Sequence, residues 1–322
     1  MMTAPRRALL ALPLATPALA QGWAPARPIR YVVNFPPGGT ADLVGRAMEQ
    51  ALPETLGQPV VVENRGGAGG VLGTEQVARA APDGHTLGQV LATHATTPAL
   101  LPSLPFDPVR DFQPLSMVAR MSTVVLVAPS SPIRTVADLL AAARANRDGL
   151  AYASPGVGVI AHLAGALLQQ VSGANLVHVP YRGGGPALTD LMAGNVPVMF
   201  NGFGGSVPHV REGRVRAIAV TSARRSATLP EVPTMAEQGF PQIELYDWFG
   251  VVAPARTPPA ATERLFRAVV EATRNAALRQ RLEAAGLEVM ASASPDEFGG
   301  YIAAEIERWG ALIRAAGIRA DG

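Results

Sequence analysis

Short runs of β-branched and aliphatic residues recur along this chain at positions 29–34, 60–63, 86–91, 124–128, 176–179, 196–200 and 215–220. Each has the length and apolar density of a buried strand. Between several of them the apolar positions take up helical spacing, at 43–52, 136–145, 159–171 and 186–192. Strands alternating with helices predict an α/β fold on parallel sheets. From position 262 the pattern is helical only, and 262–285 and 295–315 each read as one long amphipathic helix. In the second, Phe298, Ile302, Ile306, Trp309 and Ile313 share a face, which is a core-packing stripe.

Glycine-bearing loops stand where strands hand over to helices. The run Tyr31-Val32-Val33-Asn34 passes through Phe35-Pro36-Pro37-Gly38-Gly39 into Thr40-Ala41-Asp42, a turn into a helix start with Thr40 or Asp42 as the expected cap. Glycine leaves the backbone unhindered, and the N–H groups of a first helical turn point at whatever lies in front, as in an anion site. An ordinary strand–turn–helix corner has the same outline, so the other loops must decide. Ser154-Pro155-Gly156-Val157-Gly158 precedes a helix containing His162, and Tyr181-Arg182-Gly183-Gly184-Gly185 precedes one starting near Pro186. Ligands of open α/β sheets bind at the carboxyl ends of strands. Loops converging there would surround a small anion with amides, hydroxyls and one guanidinium.

Composition narrows the class. With no cysteine in the chain, disulfides, thiolate metal sites, a cysteine nucleophile and a lipid-modified cysteine anchor are all excluded. Residues 1–20 read as a cleavable export signal: Arg6 and Arg7, a short apolar stretch broken by Pro13 and Pro17, and Ala18-Leu19-Ala20 before Gln21. Sec export is the default over the twin-arginine route that the Arg pair suggests. Losing those two arginines takes the formal charge from +2 to 0. Every basic residue is an arginine and none cluster, so no nucleic-acid footprint is visible. Roughly three hundred residues remain, enough for a large core and usually two domains.

The same residues test the enzyme readings. There is no G-x-S-x-G elbow, and His85, His94, His162, His178 and His209 never fall at metal-ligand spacing. The run from Gly67 to Gly73 imitates a dinucleotide fingerprint, but the next strand ends in Ala92-Thr93-His94 with no acid for a ribose. No metal and no cofactor are expected.

Taken in order, Pro28-Ile29-Arg30, Phe35-Pro36-Pro37-Gly38-Gly39 with Asp42, Gly57-Gln58-Pro59-Val60-Val61-Val62-Glu63-Asn64-Arg65 and Pro82-Asp83-Gly84-His85-Thr86-Leu87 form a distinctive set. Asp111-Phe112, His178-Val179-Pro180-Tyr181-Arg182-Gly183, Leu229-Pro230-Glu231-Val232-Pro233-Thr234 and Trp248-Phe249-Gly250 complete it. The chain thereby resembles the Bug family of periplasmic solute-binding proteins, receptors of tripartite tricarboxylate transporters. The resemblance implies a type II periplasmic-binding-protein fold, two α/β lobes with a ligand cleft between them and no covalent chemistry. Lobe 1 is expected over 27–122 and 222–322, lobe 2 over 123–221. The implied ligand-binding set is Phe35, Pro37, Gly38, Gly39, Thr40, Asp42, Thr93, His94 and Thr97 from the first lobe. The second adds Ser154, Gly156, Gly158, His162, Tyr181, Arg182, Gly184 and Asn201. Trp248 reads as a core or hinge aromatic.

The expected partners are a small organic acid and the permease subunits, with the receptor a monomer in the periplasm. Two alternatives stay open: a periplasmic hydrolase using Ser154 and His162, and a receptor feeding a sensor kinase. Where many relatives carry an acid after Met199-Phe200, this chain has Asn201, and the loop around His94-Ala95-Thr96-Thr97-Pro98 lacks an Asn before its proline. The neutral Asn201 predicts a plain mono- or dicarboxylate in preference to an α-amino acid, since ammonium recognition calls for a cleft carboxylate.

Overall fold

The structure is a computed structural model that describes residues 22–320; the export signal expected over 1–20 lies outside the described residues. In chain order the elements are β1 (Ile29–Val33), α1 (Thr40–Leu56), β2 (Val60–Asn64), α2 (Val71–Ala78), β3 (Thr86–Leu91), α3 (Thr93–Leu100) and β4 (Phe112–Val127). Then come α4 (Val136–Ala145), β5 (Leu150–Ser154), α5 (Ile160–Ser172), β6 (Leu176–Pro180), α6 (Gly184–Ala193), β7 (Val198–Gly202), α7 (Phe203–Arg211) and β8 (Arg216–Val220). The chain closes with β9 (Tyr246–Pro254), α8 (Pro259–Ala272), α9 (Ala276–Ala284), β10 (Glu288–Val289) and α10 (Pro295–Ala315).

The sheets are mixed, not parallel throughout as expected. β1 runs parallel to β2 and β3, and β5 parallel to β6 and β7. β9 is antiparallel to β3, however, and β4 is antiparallel to β9, β7 and β8. The reason is the length of β4. Its residues Phe112 to Ser122 pair with β9, while Thr123 to Val127 pair with β7 and β8, so one strand passes from the first sheet into the second. The chain that crosses forward must also return. Where it does, the Thr123 amide donates to Thr221 Oγ1 at 2.9 Å, the Thr221 amide donates to the Thr123 carbonyl at 2.9 Å, and Thr221 Oγ1 donates to the Leu245 carbonyl at 2.8 Å.

The expected single helix over 262–285 is two helices. Thr273 Oγ1 donates to the Val270 carbonyl at 2.7 Å, and Asn275 accepts from the Ala277 and Leu278 amides. Side chains that bond their own backbone end one helix and cap the next. The stripe on α10 packs as expected. Phe298, Ile302, Trp309 and Ile313 are buried, and Phe298 lies edge-on to the fully buried Trp248 at 5.8 Å.

Candidate functional site

Four helices begin at one cleft, and none has a side-chain cap. Their N-cap residues are Gly39 for α1, Val159 for α5, Gly183 for α6 and Gly202 for α7. The helices that do carry caps, Thr135 on α4, Asn275 on α9 and Ser294 on α10, contribute nothing to the cleft wall. A cavity of about 410 Å³ is lined by Thr40, Ile160, Ala161, Gly184, Gly185 and Gly205 from the four first turns, together with Thr123, Asn201, His209 and Asp247. Among the described residues no arginine lines it. An open helix start offers unpaired N–H groups and about half a unit of positive charge, so four of them around one cavity are chemically suited to an anion.

The turn before α1 works differently from the expectation. Neither Thr40 nor Asp42 caps the helix; Asp42 instead accepts from the Gly38 amide at 3.0 Å, from Asn64 Nδ2 at 3.0 Å and from Arg46 Nε at 3.3 Å. Partial burial opposes its charge, but the Gly38 amide, Asn64 and Arg46 outweigh it and hold its pKa below the usual range. Asp42 therefore fastens the loop. The positive φ of this turn, +90°, falls at Gly38, while Gly39 is extended at φ −91°. A Cβ on Gly39 would meet nothing within 4 Å.

The loops leading into α5 and α6 are held from behind by a histidine stack. Ser154 is fully buried; its Oγ donates to the Gly156 carbonyl at 2.9 Å and bonds His178 Nε2 at 2.7 Å. His162 Nδ1 accepts from the Gly158 amide at 3.0 Å, and the two imidazoles stack at 3.6 Å. Burial, aided by His178, pushes His162 down to about 3, and burial alone takes His178 to about 4, so both stay neutral. The hydrolase alternative needs Ser154 paired with His162. That pair is not assembled, because each is committed to another group.

The remaining expected residues separate. Thr40, Gly184 and Asn201 line the cavity. Asn201 Nδ2 donates to Ser206 Oγ at 3.0 Å, and a Cβ on Gly184 would come within 2.9 Å of Asn201 Oδ1, so a larger residue there would push the Asn201 amide aside. Phe35, Thr93, Thr97 and Gly158 line an adjoining apolar cavity of about 390 Å³ that shares Val159 with the first. His94 packs between Phe106 and Phe112, bonds the Pro108 carbonyl at 2.7 Å, and is pushed by burial to about 4. Tyr181 donates its hydroxyl to Asp190 at 2.7 Å. Pro37 and Arg182 are exposed and Gly156 lies beside the Tyr181 carbonyl; none of the three lines either cavity.

Sequence reasoning passed over Asp247, Thr123 and His209. Asp247 was legible as the single charge in an apolar run just before Trp248-Phe249-Gly250. Burial drives its pKa up to about 7, partly offset by the Ala92 amide.

The sequence profile described as "Tripartite tricarboxylate transporter family receptor" matches residues 44–318. Protein BugT of Bordetella pertussis is 38% identical over 311 residues, covering 95% of this chain and 94% of that protein. Among solved structures, R. palustris Rpa4515 with adipate superposes with a TM-score of 0.81 at 34% identity, covering 91% of this chain and 98% of the other. MatC from Rhodopseudomonas palustris with bound malate gives 0.78 at 33% identity, covering 90% and 99%.

Proposed function

The chain belongs to the tripartite tricarboxylate transporter receptor family, and from that premise we propose that it captures a small organic carboxylate in the 410 Å³ cleft and delivers it to a membrane permease. The family consists of periplasmic solute-binding receptors. The observation that carries the carboxylate reading is the convergence of four uncapped helix starts on a cavity that no arginine lines among the described residues. Relatives with the same fold hold malate and adipate.

In this reading Thr40, Gly184 and Asn201 touch the solute, and Gly38 and Gly39 leave the mouth open. Ser154, Gly156, His162 and Tyr181 hold the loops in position. Phe35, Thr93, Thr97 and Gly158 receive any apolar extension. The lobes, 27–122 with 222–322 and 123–221, close over the solute about the Thr123–Thr221 bonds. Export by Sec and removal of residues 1–20 place the receptor, as a monomer, in the periplasm.

Micromolar affinity needs about 8 kcal/mol, which a few charge-assisted hydrogen bonds of roughly 1.5–3 kcal/mol each supply. Calorimetric titration of the solute-stripped protein with a panel of organic acids is expected to give one-to-one binding, with the acid recovered intact by mass spectrometry. Recovery of a converted product would refute the receptor reading.

A further inference from the structure

Asp247 is the one charged residue of β9, and every other position of that strand is buried. It stands opposite Met121 of β4. Strand alternation sends Tyr246 and Trp248 to the other side, Tyr246 beneath Arg120 and Trp248 against Phe298, and turns Asp247 into the cleft beside Thr40 and Asn201.

The fold makes no use of this carboxyl group. Among the described residues the only group that supports its charge is the Ala92 amide. Arg120 on the adjoining strand is bonded to Glu288 at 2.9 Å and lies over the Tyr246 ring at 3.8 Å. From α10, Tyr301 senses the carboxyl only as a like charge. From α7, His209 lines the same cavity, and its Nδ1 is buried without a partner among the described residues. Asp247 is only half-buried and faces the cavity, and a carboxyl group supported by a single backbone amide remains free to accept from a solute.

We propose that Asp247 sets the solute preference: it accepts hydrogen bonds from a cationic nitrogen, so the preferred organic acid carries an ammonium-type group besides the carboxylate held by the helix starts. Asn201 in the same cavity is neutral, so the carboxyl group there comes from β9. This replaces the preference for plain acids inferred from Asn201 alone. Burial leaves Asp247 readily protonated in the open cleft; an ammonium group restores its charge, whereas a second solute carboxylate is repelled unless the two share a proton. The proposal rests on the carboxylate-receptor reading.

The test is calorimetric titration near pH 8 of wild type and Asp247→Asn with length-matched acids, 4-aminobutyrate and glutamate against succinate and glutarate. Wild type is expected to favour the amino-bearing acids by about tenfold or more, the worth of one charge-assisted bond, and Asp247→Asn to abolish or invert that ratio. Equal or tighter binding of the plain acids by wild type, or a ratio unchanged by the substitution, overturns the proposal. If all four acids fail with both proteins, the receptor reading falls and takes the proposal with it, an outcome recognisable because the plain acids fail too. A ligand-free melting curve gives a second check: Asp247→Asn is expected to melt no lower than wild type near pH 8. A clear drop would make Asp247 a structural residue.

Discussion

At the scale of single residues, the proposed function separates groups that would meet the solute from groups that hold the loops. Gly39→Val tests the first kind. Its extended φ and open surroundings let the fold accept valine, so a small change in melting temperature is expected alongside a binding loss of about tenfold or more, from a branched side chain at the mouth of an anion site. Retained affinity would show that solute never approaches this turn. The histidines test the second kind. His94, His162 and His178 are held neutral at about 4, 3 and 4, below their unfolded value of about 6.5. Protons therefore favour the unfolded chain, and the stability these residues contribute is complete above that value and lost as pH falls toward the folded values. Asp247 acts in the opposite sense, since its raised pKa of about 7 costs stability as pH rises from about 4. Three histidines outweigh one acid. Chemical denaturation is expected to show stability falling on the order of a few kcal/mol between pH 6.5 and 4, and His162→Gln should flatten that slope; a flat wild-type profile would show the stack to be protonated or open to water.

Among the elements, β4 matters most because it belongs to both sheets. The point at which it changes partner is bolted by Thr123, Thr221 and Leu245, and Thr221 is fully buried. Thr221→Val keeps the shape and removes the hydroxyl, which leaves the Thr123 amide and the Leu245 carbonyl without this partner. A loss of about 1–3 kcal/mol in denaturant unfolding is expected, together with altered solute affinity if the bolt is the pivot. Stability lost with affinity unchanged would make it a staple only.

For the whole molecule the question is closure. Residues from 27–122 and from 123–221 line the cavity, and a solute touching both would supply the differential contact that a population shift requires. Small-angle scattering is expected to show a smaller radius of gyration at saturation. Gly158 gives a way to block this. A Cβ there would lie 2.1 Å from Leu100 Cδ1 on α3, and the φ of +75° suits glycine, so Gly158→Ala strains the turn and displaces Leu100, and its scattering curve should change less on adding solute. An unchanged wild-type radius would argue for a site already closed.

The sequence by itself determined the α/β class, most strands of the parallel parts, the amphipathic face of α10 and the loops that carry the site. These depend on local chemistry: β-branched runs, helical spacing, and glycines that free a backbone turn. It also carried the family, through short motifs in a fixed order. Tertiary structure alone decided the mixed sheet, because only the pairing of β4 with partners on both sides makes it a crossing strand. It also decided which loop residues face the cleft. Ser154, His162 and Asp42 look like ligand groups in the sequence, yet their hydrogen bonds run into the loop behind, whereas Asp247 looks like an anomaly in a buried strand until β9 is laid against β4 and turned toward four helix starts. Which way a side chain points, and what already satisfies it, is fixed by partners far away in sequence, and no local pattern records them.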